Sequence, residues 1–478
     1  MTTAPADARG SGSFLRPWTV GPRLLCLVFL FTLPLVTPTI RGADEIQYFS
    51  LLRSLVFDQD LDFGNEYRHF YAQDPQGLAG FKATFIDRRE DVTGRHISFG
   101  YLGPALMWSP FYLAAHGCVL AARAVGVPIA ADGFAWPYTA AVCYGSAFYA
   151  FFGLLLTHNA LRRFGQFAEP GATWSVIGVW LGTPLLYYMS LAPGFAHAPA
   201  VFAVSLLLWL WLRSRDRGDD SVRAWAWIGA AGGLAGLVRP SGVLFLVAPA
   251  AELVWRTLRG RRWAWGLGRA LVMGACAGAL LFPQLILNRV LTGGLGPTRL
   301  VTRKLTFTSP HFLQVLFDPG HGLFFWTPLV LVAVAGLAAI AFRRKDGVGP
   351  LLAAAFLLQV WINGSVESWS QAGAFGARRF VELTPIFAWG VAVAVAWAAR
   401  RLRRLATASI LVIFVWWNLS LMAQFGLNLM NRQRLEWPRV AVNQICAVPP
   451  RLARAVLLFF TDREGLVREQ RPSPTFEP

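Results

Sequence analysis

The chain reads as an all-α polytopic membrane protein, and three observations carry that reading. Hydrophobic residues make up 55% of the 478 residues, with 20 Trp and 36 Phe, and the mean hydropathy is +0.45. A soluble domain has no core large enough to hide so much apolar surface. The apolar residues also fall in continuous runs long enough to cross a ~30 Å hydrocarbon core as helices. An outer-membrane barrel would instead show ~10-residue segments of alternating polarity. Finally, the basic clusters Arg213–Arg217, Arg256–Arg262, Arg343–Lys345 and Arg400–Arg404 lie between runs, where the positive-inside rule puts cytoplasmic loops.

Residues 1–23 carry Arg9, Arg16 and Arg23 and lead into the first run. With no small-residue cleavage site after Leu35, they read as a cytoplasmic segment ahead of a retained anchor. The runs 24–40, 101–124, 137–160, 174–192, 196–212, 224–239, 241–256, 267–288, 323–342, 350–366, 384–399 and 405–424 give about twelve transmembrane helices, so 24–424 is one transmembrane module. Within it, 41–100 is a long first extracytoplasmic loop. The tail 425–478 reads as interfacial through its greasy stretch Ala455–Phe460.

Placing the four basic clusters inside puts 41–100, 193–195, 239–240, 289–322 and 367–383 outside. One conflict remains. Two full spans within 101–160 would return Arg162 and Arg163 to the outside, so either that region holds a half-span or re-entrant piece or this pair is an exception. The tail falls outside by alternation, while its arginines argue for the inside.

The same loops account for the net charge of +18, and no basic-aromatic module for nucleic acid is present. The five cysteines, at 26, 118, 143, 276 and 446, are odd in number and mostly within spans, which suggests neither a disulfide framework nor a cysteine metal site.

The topology gathers Asp44, Glu45, His96, His197, Arg239, Arg303, Lys304, His321, Glu367, Arg378 and Arg379 near the outer face, and ionisable groups at span ends tend to border an aqueous cavity. After Gly42, the residues Tyr48, Leu51, Leu52, Leu55 and Val56 recur with the spacing of an amphipathic juxtamembrane helix that Asp44 opens. Plain structural roles compete at several positions. Asp44 with Gln47 matches a capping box, Arg239 can snorkel, His197 can be a hydrogen-bonding packing residue, and Glu367–Gln371 suits an interfacial belt as well as a sugar. The Asp-x-Asp patterns at Asp58, Asp60 and Asp62 read as solvated loop carboxylates.

Four stretches carry a resemblance: Arg41-Gly-Ala-Asp44-Glu45, His96-Ile-Ser-Phe-Gly-Tyr-Leu-Gly-Pro104, Gly194-Phe-Ala-His197-Ala-Pro199, and Gly376-Ala-Arg378-Arg379 with Pro385. With the topology, they make about residues 20–400 similar to the multi-spanning glycosyltransferase superfamily C, in the branch of the protein O-mannosyltransferases and aminoarabinose transferases. The resemblance implies transfer of a sugar from a polyprenyl-phosphate carrier to a glycan, lipid or protein acceptor on the outer side of a bacterial cytoplasmic membrane. It implies Asp44 as the base with Glu45 secondary, and His96, His197, Arg239, Glu367, Arg378 and Arg379 as substrate contacts, the guanidiniums suiting phosphate. His197 stands where many relatives place an Asp. No cofactor is firmly implied, and a divalent metal stays open. Two other classes compete, a multi-pass transporter and a noncatalytic envelope-assembly protein. Charges gathered at span ends and the lack of a two-fold repeat weigh against the transporter.

Overall fold

The computed structural model describes residues 20–343, 347–371 and 373–461. Arg9, Arg16, Lys345 and the tail beyond 461 lie outside the described residues. The described chain is helical, and its only bridges are the isolated pairs Arg89 with His96 and Leu305 with Val366.

The elements used below are α1 (Val20–Thr32), α2 (Ala43–Arg53), α3 (Gly64–Gln73), α4 (Leu102–Ala124), α5 (Trp136–Arg163), α6 (Gly171–Leu181), α7 (Leu185–Ser190), α8 (His197–Arg217) and α9 (Val222–Val238). There follow α10 (Val247–Gly260), α11 (Trp263–Thr292), α12 (Pro328–Arg343), α13 (Val348–Gly364), α14 (Thr384–Arg401), α15 (Arg404–Gly426) and α16 (Val448–Thr461). Among the described residues, seven helices are by length and composition apolar enough to cross a membrane, and five shorter apolar helices accompany them.

Small residues let these helices touch backbone to backbone, the packing that works where lipid leaves little hydrophobic drive. A Cβ on Gly229 of α9 would lie 2.2 Å from the Met273 carbonyl of α11, and one on Gly390 of α14 would lie 1.9 Å from the Ala333 carbonyl of α12. Backbone groups freed inside the bundle find side chains, as a low-dielectric medium requires. Thus Asn418 Nδ2 of α15 donates to the carbonyls of Leu181 and Thr183, at 2.8 and 2.9 Å, where Gly182-Thr183-Pro184 separates α6 from α7.

The packing of α4 bears on the conflict at Arg162 and Arg163. Its first N–H donates to Gln284 Oε1 of α11 at 2.8 Å. It then runs antiparallel to the first half of α5, with Trp108 Nε1 donating to Ser146 Oγ at 2.8 Å and His116 Nδ1 lying 2.7 Å from Tyr138 Oη. The turn after it stays on the same side as the 41–100 loop, where Arg53 Nε donates to the Asp132 carbonyl at 3.2 Å and Thr139 Oγ1 to that of Pro38 at 3.0 Å. This helix therefore begins and ends on the side that carries the 41–100 loop, which fits the re-entrant alternative. The tail returns to that side too, where the Leu435 N–H donates to the Gly320 carbonyl at 2.9 Å and the Trp437 ring stacks on Trp417 at 5.2 Å.

The expected surface helix after Gly42 is a buried one. In α2, Ile46, Phe49, Leu51, Leu52 and also Glu45, Gln47, Ser50 and Arg53 are buried, because α4 flanks it through the pairs Tyr48–Trp108 and Phe49–Tyr112 and α3 through Phe49–Phe70.

Candidate active site

The side-chain cluster begins at the first turn of α2. Glu45, at the third helical position, turns back to the helix start: its Oε2 accepts from the N–H groups of Gly42 at 2.7 Å and Arg41 at 3.0 Å, and its Oε1 accepts from the Gly194 N–H at 3.1 Å. This is the reciprocal half of a capping box, so the cap expected from Asp44 and Gln47 is corrected to one centred on Gly42 and Glu45. Gln47 has other partners, with Nε2 donating to the Ala43 carbonyl at 3.0 Å and Oε1 accepting from the Phe99 N–H at 2.6 Å. Burial raises the Glu45 pKa to about 7 despite the three backbone donors. Both Glu45 oxygens are thus engaged with backbone, Oε2 by two N–H groups and Oε1 by one.

Asp44 is released from capping by this arrangement and points elsewhere. Its Oδ2 lies 3.1 Å from Arg378 Nη1. Arg378 opens the short 3-10 turn Arg378–Leu383 that leads into α14, and its guanidinium lies 5.2 Å from the centre of the Phe195 ring. Phe195 in turn lies parallel to His197, at the start of α8, with ring centres 5.7 Å apart. Arg239, at the end of α9, donates through Nη1 to His197 Nδ1 and places Nε 3.5 Å from Glu382 Oε2. A guanidinium only donates, so His197 Nδ1 accepts and its ring proton sits on Nε2. Glu382 is fully buried, and its other oxygen accepts from Ser241 Oγ at 2.7 Å.

Arg379 sits beside this chain of contacts. Its Nη2 donates to Ser368 Oγ and its backbone N–H to Gln371 Oε1, both at 3.1 Å. Its Nη1 is buried with no hydrogen-bond partner among the described residues, a state costing about 1–3 kcal/mol unless an acceptor arrives. Tyr188 packs against His197 and Phe195, with ring centres 4.6 and 5.4 Å away, and Asp44 and Arg378 act electrostatically on the phenols of Tyr48 and Tyr188. Burial raises the Tyr48 phenol pKa.

Of the expected site residues, the structure thus brings together Asp44, His197, Arg239, Arg378 and Arg379, with Glu45 beneath them. It separates two others. His96 is buried in a second place, its Nδ1 2.8 Å from the Phe85 carbonyl and its Nε2 3.6 Å from Asp62 Oδ1, on a cavity of about 280 Å³ that Asp58, Asp60, Arg68 and Arg89 also line. Burial lowers its pKa. Asp60 and Asp62 are exposed, as expected of loop carboxylates, while the half-buried Asp58 pairs with Arg53 and Asp60 accepts from Ser54 Oγ at 2.7 Å, fixing the turn after α2. Glu367 is exposed, and its backbone N–H donates to the Lys304 carbonyl at 2.8 Å. Arg303 and Lys304 are exposed with it, and His321 is buried against Trp326.

Sequence reading missed Glu382, Tyr48, Tyr188 and Phe195 as members of the site. The first had a signal, a lone carboxylate at the start of an apolar run. Among the described residues, no group of three or more His, Cys, Asp or Glu stands at metal-holding spacing, and the five cysteines are free.

Fold and site together are those of a multi-pass helical membrane protein with a charged site buried at one end of the bundle. No protein-family model and no curated protein matches the chain. Among solved structures it is similar to ArnT from Cupriavidus metallidurans, solved bound to undecaprenyl phosphate, with a TM-score of 0.48 and 16% sequence identity over 94% of this chain and 73% of that one.

Proposed function

We propose that the protein is an integral-membrane glycosyltransferase that moves a sugar from a polyprenyl-phosphate carrier to an envelope acceptor on the outer side of a bacterial cytoplasmic membrane. One observation carries the reading: the carboxylate of Asp44 is 3.1 Å from Arg378, beside an Arg379 whose buried Nη1 lacks an acceptor among the described residues. A carboxylate to take a proton and guanidiniums to receive a phosphate are the two groups such a transfer needs.

The charges support it further. Arg378 is paired with Asp44 and Arg239 with Glu382, and among the described residues Arg379 has no carboxylate partner of its own. The sugar phosphodiester of the donor carries one negative charge. In the proposed step the acceptor oxygen bonds to the anomeric carbon and its proton passes to Asp44. The bond from that carbon to the phosphate oxygen breaks, and the phosphate keeps the electron pair and gains a second negative charge. Protonation neutralises Asp44 at that moment, which frees Arg378 to face the departing phosphate. Base and phosphate clamp are in this way coupled through one ion pair.

The test is transfer from a purified polyprenyl-phosphate sugar by the Asp44→Asn protein. Loss of a general base lowers turnover roughly 10²- to 10⁴-fold, while donor binding should persist. Undiminished transfer by this variant would remove Asp44 from the mechanism.

A further inference from the structure

We infer that the bundle holds a second binding site, for the headgroup of an anionic phospholipid, at the end of α8 remote from the charged cluster. The inference needs only that the protein sits in a bilayer and is independent of the proposed reaction. Where α8 ends and α9 begins, Arg213, Arg217 and Arg223 line a cavity of about 420 Å³. His197 opens the same helix, so the cavity lies roughly 25–30 Å away, the distance from one headgroup layer to the other.

Neighbouring arginines are held in direct ion pairs, whereas Arg213 and Arg217 share only the field of Asp219. Arg256 holds Asp220 at 2.6 Å and Arg215 holds Glu252 at 2.9 Å. Among the described residues, Arg213, Arg217 and Arg223 are in no ion pair. The one acid on the cavity wall, Asp219, accepts through Oδ1 from the Ser221 N–H at 3.0 Å, leaving an excess of two positive charges. Arg213 is half-buried and held over the Trp209 ring at 5.0 Å, so its guanidinium is fixed rather than dispersed in solvent. Leu210, Ala224 and Trp227 supply the apolar part of the wall beside Ser214 and Ser221, and Trp227 is 54% exposed, an aromatic of the kind that settles at headgroup level. Guanidiniums fit phosphate through paired donors, and basic pockets between transmembrane helices suit anionic headgroups. The apolar part of the wall favours a lipid over free phosphate.

The test uses delipidated protein in detergent, with bound lipid counted by native mass spectrometry during titration with phosphatidylglycerol, phosphatidylcholine of the same chains, and inorganic phosphate. Phosphatidylglycerol should bind at least ~10-fold more tightly than phosphatidylcholine. The double variant Arg217→Gln/Arg223→Gln, at two exposed positions, should weaken phosphatidylglycerol on the order of 30-fold and leave phosphatidylcholine unchanged. A control, Arg259→Gln/Arg262→Gln, removes the same charge at exposed positions near that end of the bundle but off the cavity, and it should retain the lipid. Equal loss in the control, equal binding of the two lipids, or displacement of phosphatidylglycerol by millimolar inorganic phosphate would each overturn the assignment.

Discussion

Asp44 and Glu45 are adjacent carboxylates with different surroundings, since successive residues of a helix point about 100° apart. One turns back onto the helix start and the other reaches Arg378. Removing them should therefore have different consequences. Asp44→Asn is expected to keep the melting temperature and lose transfer, whereas Glu45→Ala strips an acceptor from three N–H groups and should cost about 2–4 kcal/mol of stability, read by thermal unfolding. Arg379→Ala should raise the KM for the lipid-linked donor, because the orphan Nη1 is the group best placed to gain a partner, with less effect on kcat. Burial also makes stability depend on pH. Glu45 and Glu66 are both raised to about 7 from an ordinary 4.5, so the native state binds more protons than the unfolded chain between those values. Stability is then greatest below the unfolded pKa and falls as pH rises through about 7. Glu66 Oε1 accepts from Arg53 Nη1 at 3.0 Å, and melting temperatures between pH 5 and 8 (roughly the range of interest) should show this, with a shallower fall in Glu66→Gln, where Arg53 keeps Asp58 as a partner. Asp44 and Arg378 were legible because acid after the first span and paired arginines in a late loop are local signals. The tie from Glu45 to Gly194 was not, since no local pattern links residues 149 apart.

The positions of the apolar helices were legible from hydropathy runs, but hydropathy is silent on direction. A helix packed against two others on one side of a bundle has the composition of one that crosses, and α4 shows the result. What betrayed it was the arginine pair at the end of α5, a charge argument rather than an apolar one. Helix contact was equally hidden, because a glycine in an apolar run can be a packing surface or an empty spot. Gly390 is the first kind, and Gly390→Val should destabilise by about 1–3 kcal/mol or more. Gly117 in α4 is the second, with nothing within 4 Å of an added Cβ, and Gly117→Ala should leave the melting temperature unchanged or slightly higher. Thermal unfolding of the two variants side by side separates these cases.

At the scale of the whole molecule, the charged cluster and the arginine-lined cavity sit at opposite ends of one bundle, and the proposed orientation puts the cluster outside. With the exposed Cys118 and Cys446 replaced by Ser, Pro75→Cys should react with an impermeant thiol reagent in intact cells, while Arg261→Cys should react only after lysis. The reverse pattern would invert the protein and remove the outward-facing reaction. The bond between Glu45 and Gly194 has a further consequence for biosynthesis. The helix that bears Asp44 leaves the ribosome early, but its start is clasped only when the entrance to α8 has been made, and Arg378 follows much later still. A nascent chain thus carries its acidic group for most of its synthesis without the partner that positions it. Under the proposed reaction, the pair of Asp44 and Arg378 is complete only when nearly all of the helices have been made, so the order of translation itself would guard a half-built chain against premature reaction.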